Sequence, residues 1–210
     1  MRLLVDNDIL VKAAHWNLID WVPPIADADW PATAGLEAIK YRARRADPKL
    51  FKDASVAALL LDRLERCAQL PEPDLRIVAA LQGIQNLDVG EIQLIGALAS
   101  LPDAVLLTGD KRALKALSAP AHADVIDRVG GRMLCLEQWL WFVHEQLDAK
   151  ALADSVRQHA DMDTATRCIV GSGKAPTSES VREGLASYLR DLDGNAPGML
   201  ARRLGLAYGI

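Results

Sequence analysis

The side chains whose types and spacing could do chemistry in this sequence are carboxylates. Asp6 and Asp8 follow the short apolar run Leu3-Leu-Val5, Asp88 and Glu91 stand three apart ahead of a second apolar stretch, and Asp110 follows Ala104-Val-Leu-Leu-Thr108. Carboxylates brought together repel, so at least one protonates unless a cation neutralises the group. Hard oxygen donors select Mg²⁺ or Mn²⁺ over zinc. One or two such ions can activate water and stabilise a leaving oxygen, the chemistry of phosphodiester hydrolysis. That route needs no histidine or thiol nucleophile. The four histidines, His15, His122, His144 and His159, are scattered and read as surface or capping residues. Cys67, Cys135 and Cys168 are odd in number with no Cys-x-x-Cys, which fits reduced thiols in a cytoplasmic protein and disfavours structural zinc.

Helix capping competes for the same acids. Asp88-x-x-Glu91 has the spacing of a capping box, and Asp8 and Asp110 could each cap the helix that follows. Capping explains Asp8 well and Asp88 in part. It explains Asp6 poorly, because a helix needs one cap and Asp6 sits on the strand side. It also leaves Glu91 without a reason to be acidic. Asp6, Glu91 and Asp110 therefore stand as carboxylates expected to share one metal site, with Asp88 as a fourth metal-binding candidate.

The elements that must position these acids follow from periodicity. Strands are expected at 2–5, 75–81, 104–108 and 133–136. Helices are expected from Asp8 onward and at 34–45, 55–70, 89–100 and 111–118, and from Glu137 the chain reads as helical apart from the loop Gly171 to Thr177. Alternation up to residue 136 predicts an α/β fold, a three-layer parallel sheet flanked by helices. Residues 1–136 form the expected catalytic domain, and 137–210 a helical extension packed on or beside it. In such sheets sites form outside the carboxyl ends of the strands, so Asp6 and Asp110 should share an edge. Gly171-Ser-Gly-Lys174 lacks the spacing of a phosphate-binding loop and reads as a linker.

The 210 residues are half hydrophobic and carry a net charge of −4, so nucleic-acid binding must rest on a local patch. No apolar run approaches the roughly 20 residues needed to span a bilayer. Residues 40–52 hold six cations against one acid, among them Lys40, Arg42, Arg44 and Arg45, with Tyr41 and Phe51 between. This is the pattern of a phosphate-tracking groove with stacking rings, weighed equally against a solvated helix face. Lys111 and Arg112, beside Asp110, are better placed to meet a scissile phosphate. Trp16, Trp21, Trp139 and Trp141 read as core or subunit-interface residues.

Together these segments resemble the PIN-domain family of metal-dependent nucleases. The resemblance rests on Leu3-Leu-Val-Asp6-Asn-Asp8-Ile-Leu10, on Leu87-Asp88-Val-Gly-Glu91-Ile-Gln-Leu-Ile-Gly-Ala-Leu98, and on Val105-Leu-Leu-Thr108-Gly-Asp110-Lys-Arg112. It covers residues 1 to about 136. It implies a PIN-like sheet and a Mg²⁺- or Mn²⁺-dependent ribonuclease whose catalytic residues are Asp6, Glu91 and Asp110, with Thr108 orienting a ligand or water. Single-stranded RNA, or single-stranded DNA, is the implied substrate. An antitoxin-like protein and a second copy of the chain are the implied candidate partners, as for a bacterial toxin, with no membrane. The sequence departs from the family at the acid expected on a middle helix, for which Glu37, Asp62 and Glu65 compete, and in having residues 137–210 at all. A phosphatase of the haloacid dehalogenase type, with Asp6 as nucleophile, is the rival enzyme. It assigns nothing to Asp88 or Glu91, and Leu10 stands where that family has Thr or Val. A catalytically inactive scaffold kept for binding or assembly is the non-enzymatic alternative.

Overall fold

A computed structural model describes residues 1–171 and 173–202. The chain runs through β1 (Arg2–Val5), α1 (Asn7–His15), β2 (Thr33–Gly35), α2 (Glu37–Arg44), α3 (Ala54–Leu64), α4 (Leu75–Leu81), α5 (Val89–Ser100), β3 (Ala104–Thr108), α6 (Lys111–Leu117), α7 (Ala123–Val129) and β4 (Met133–Cys135). Four further helices follow: α8 (Leu136–Gln146), α9 (Ala149–Arg157), α10 (Thr164–Val170) and α11 (Ser178–Asn195). The strands form one parallel sheet in the order β2-β1-β3-β4, flanked by helices, as alternation along the sequence predicts. β3 is buried along its whole length and β1 at Leu3, Leu4 and Val5. Strands covered on both faces read as unbroken apolar runs, which is why these two were legible.

Three expectations need correction. Residues 75–81 form a helix rather than a strand. Asp74 caps it, its Oδ1 accepting from the N–H groups of Arg76 (2.9 Å) and Ile77 (3.4 Å). Ile77 and Leu81, four apart, are its buried positions. The second strand lies instead at Thr33–Gly35, overlapping the start of the segment read as helix (34–45). Three small residues carry no strand signature of their own, and parallel pairing with Leu3, Leu4 and Val5 decides the matter. The helix read as 55–70 stops at Leu64, because Ala68 leaves it to donate to Thr33 O at 2.9 Å along the outer edge of β2. The opposite edge is covered by the chain's own later part. Met133 N–H donates to Met199 O (3.3 Å) and Ala201 N–H to Met133 O (2.7 Å).

The helices after β4 share one apolar core with the sheet. Trp16 and Trp139, both fully buried, stack with ring centroids 6.5 Å apart. Each indole N–H crosses between the regions, Trp16 Nε1 to His159 O (3.2 Å) and Trp139 Nε1 to Trp21 O (2.9 Å). His15 and His144, expected at the surface or in caps, are buried, and His15 lies between the rings of Phe51 and His159.

Candidate functional site

The site is built at the carboxyl edge of the sheet. Asp6 directly follows β1 and keeps a ladder bond, its N–H donating to Leu107 O at 2.9 Å. That fixes its backbone beside β3, where Thr108 Oγ1 donates to Asp6 Oδ2 (3.2 Å) and accepts from Asp110 N–H (3.1 Å). A single buried hydroxyl thus ties two of the expected acids together. Asp6 occupies the N-cap position of α1 without a well-formed capping bond from its side chain, although the Asn7 and Asp8 N–H groups lie near enough to oppose the rise of its pKa.

The capping reading holds elsewhere. Asp110 Oδ1 caps α6 through the N–H groups of Arg112 (2.6 Å) and Ala113 (3.0 Å). Asp88 and Glu91 form a complete capping box, each side chain meeting the other's N–H at 2.8 Å. Asp8 is a correction: it lies inside α1 rather than at its cap, with Oδ2 2.7 Å from Lys12 Nζ. Asp8 is also pressed against Gly109, where a Cβ would lie 2.4 Å from its Oδ2. Only glycine permits that approach.

Capping does not exhaust these groups. Burial, reinforced by the charge of Asp8, pushes Asp6 up to about 6, with the Thr108 hydroxyl pulling the other way. Burial also pushes Glu91 up to about 7. The Asp88 N–H opposes that rise, and the charges of Asp110 and Asp88 with a side-chain hydrogen bond to Asp110 add to it. Burial is thus the main reason that both carboxyls titrate above their ordinary range, with neighbouring acids adding to it.

Asp6, Asp8, Asp88, Glu91 and Asp110 all line one open cleft of about 1090 Å³. The middle-helix candidates Glu37, Asp62 and Glu65 do not. Glu37 pairs with Lys40, and Asp62 with Arg63 and Arg66. What α2 turns to the cleft is Ala38 and Arg42. Of the expected cations, Arg42, Lys111 and Arg112 reach the cleft, joined by Lys49 and Lys52, while Lys40, Arg44 and Arg45 are not on its walls. Arg45 instead lies over the Tyr41 ring at 4.4 Å. Lys111 is engaged by the buried carboxylate of Glu137 and by the Tyr188 ring at 4.5 Å. Lys49 and Arg112 make no ion pair among the described residues.

Sequence reasoning missed four contributors. Asn7 is among the residues lining the cleft, and its Oδ1 is buried without a hydrogen-bond partner among the described residues. Lys12 is buried behind Asp8, and Asp161 and Asp163, from the helical region, form part of the cleft wall. The one sequence signal was the Asp8–Lys12 spacing of four on a helix; nothing local links residue 163 to residue 12. No group of three or more His, Cys, Asp or Glu side chains among the described residues is closed around one point tightly enough to hold a metal ion. Compared with family models, curated proteins and solved structures, the chain matches none. No described helix is long and apolar enough to cross a membrane.

Proposed function

We propose that this chain is a Mg²⁺- or Mn²⁺-dependent nuclease that hydrolyses phosphodiester bonds in single-stranded RNA, the activity its PIN-like segments imply. The observation that carries the reading is the gathering of Asp6, Glu91 and Asp110 in one cleft, two of them with pKa values near 6 and 7. The donors fit such an ion in kind. They are hard oxygens. Asp6, Glu91 and Asp110 would hold the ion, with Asp88 adjacent. Because no three acids are closed around one point as they stand, carboxylate rotation would accompany binding. A bound dication supplies water activation and neutralises charge on the phosphate.

The chain's own residues do the rest. Thr108 fixes the orientation of Asp6 through its hydroxyl. Arg112 and Lys49, without ion pairs of their own, are the cations available to a backbone phosphate, and Arg42 adds to that wall while held by Asp47 at 2.8 Å. The phosphatase alternative gives Glu91 no task, although its carboxyl is the one in contact with Asp110.

The test is cleavage of single-stranded RNA and DNA with Mn²⁺, comparing wild type, Asp6→Asn and chelator-treated protein. Cleavage is expected to fall at least about a hundredfold in the variant and with chelator. Robust cleavage by Asp6→Asn would sink the assignment. Beryllofluoride captured at Asp6 would support the phosphatase instead.

A further inference from the structure

One stripe of α2 faces away from the core. Ala38, Tyr41, Arg42 and Arg45 are spaced i, i+3, i+4 and i+7 and so share a face, while Ile39 and Ala43 are the buried positions of the helix. Arg45 follows the last turn with helical dihedrals. Ala38 and Arg42 line the cleft. The start of α2 abuts the start of α5, where Asp88 and Glu91 stand, since a Cβ on Gly90 would lie 2.7 Å from Leu36 Cδ1. The stripe therefore begins beside those acids, and Tyr41 and Arg45 lie about 4.5 and about 10.5 Å beyond Ala38 along the helix axis.

Tyr41 is a braced ring in open solvent. The Arg45 guanidinium lies 4.4 Å from its centroid, yet Tyr41 remains 55% exposed. No second ring or cation lies over it among the described residues. The charge around it is positive and half of it is unneutralised. Of the six cations in residues 40–52, Lys40 pairs with Glu37, Arg42 with Asp47 and Lys52 with Asp161. Arg44, Arg45 and Lys49 are exposed and make no ion pair among the described residues. Lys49 stands on the cleft wall itself. Three neighbouring cations without partners repel one another, and a polyanion relieves that repulsion. An exposed ring on the same stretch gives nothing to a phosphate but offers a flat face to a base.

We propose that Tyr41, braced by Arg45, is a stacking platform for an unpaired base of a single-stranded nucleic acid, with Arg44 and Lys49 following its phosphates toward the cleft. The inference rests on the single-stranded substrate of the reading above, and on no metal.

Fluorescence anisotropy of a labelled short oligouridylate, and of an abasic strand with the same backbone, tests this in the presence of chelator, where neither cleavage nor a bound metal contributes. Wild type is expected to bind the base-bearing strand about tenfold more tightly than the abasic one. Tyr41→Ala should abolish that preference and leave abasic binding unchanged, and Tyr41→Trp should keep it. Arg44→Gln should weaken both strands alike and reduce the log–log salt slope by about 0.7. Equal binding of the two strands by wild type, no binding of either, an equal loss on both in Tyr41→Ala, or an unchanged slope in Arg44→Gln overturns the proposal. Displacement by a polyglutamate peptide as effective as by oligouridylate would assign the patch to an acidic protein and overturn it too. Asp6-dependent cleavage with a strand preference indifferent to Tyr41 would keep the nuclease and strike the platform. A Tyr41-dependent preference without cleavage would keep the platform on a protein that binds without cutting.

Discussion

Asp6 is a carboxyl whose pKa, about 6, lies above its ordinary 3.8, so the fold favours its protonated form. Its contribution to stability is complete below about pH 4, shrinks as pH rises through 6, and at pH 7 the ionised group is a net cost. In metal-free protein, Asp6→Asn should therefore be more stable than wild type by up to about 3 kcal/mol at pH 7 and by little at pH 4. Urea midpoints at the two pH values read this directly, and an unchanged difference would refute it. Saturating Mn²⁺ is expected to reverse the order, since only wild type gains the binding free energy. At Thr108, replacement by Val keeps the shape and removes the hydroxyl shared by Asp6 and Asp110. A loss of about 1–2 kcal/mol in denaturant unfolding is expected. Asp6, Glu91 and Asp110 were legible in the sequence because strand ends and a helical i,i+3 pair are local signals. Lys12 and Asn7 were not, because what distinguishes them is a buried ammonium and a buried orphan oxygen, which only tertiary packing creates.

Elements were legible in proportion to how far their own residues decide them. β3 and α5 have the bounds expected, Ala104–Thr108 and Val89–Ser100, since one is an unbroken apolar run and the other has an acid cap and a long apolar face. Leu75–Leu81 misled because Ile77 and Val78 are β-branched, while the cap at Asp74 outweighed that preference. Asp74→Ala is accordingly expected to cost about 1 kcal/mol, more if its bond from Arg128 (3.1 Å) also counts, measured by chemical denaturation. No loss would mean that the cap does not set this helix. β2 was hidden for the opposite reason: Thr33-Ala-Gly35 acquires strand conformation only by pairing with β1. Gly109→Ala should leave the fold intact, because the atom it meets is the end of a half-exposed Asp8 side chain. Its cost should be small, the strained contact being relieved by a shift of that carboxylate, which chemical denaturation would register.

At the scale of the molecule, the helices after β4 and the sheet are joined by buried indoles, by Lys111 to Glu137 and by Lys12 to Asp163. Trp139→Ala is expected to cost about 3–5 kcal/mol and to destabilise both regions together, seen as a single unfolding transition at a lower midpoint. Two separated transitions would contradict a shared core. The backbone pairing of Met133 with Met199 and Ala201 adds a matter of timing. On a ribosome, the outer edge of β4 is made 66 residues before the segment that covers it (199 − 133). At roughly 5–20 residues per second that edge stays bare for about 3–13 s. During synthesis the nascent chain thus presents an unpaired strand that a chaperone or a second nascent copy could engage, and the acid-lined cleft lacks its Asp161–Asp163 wall for nearly the first half of that interval.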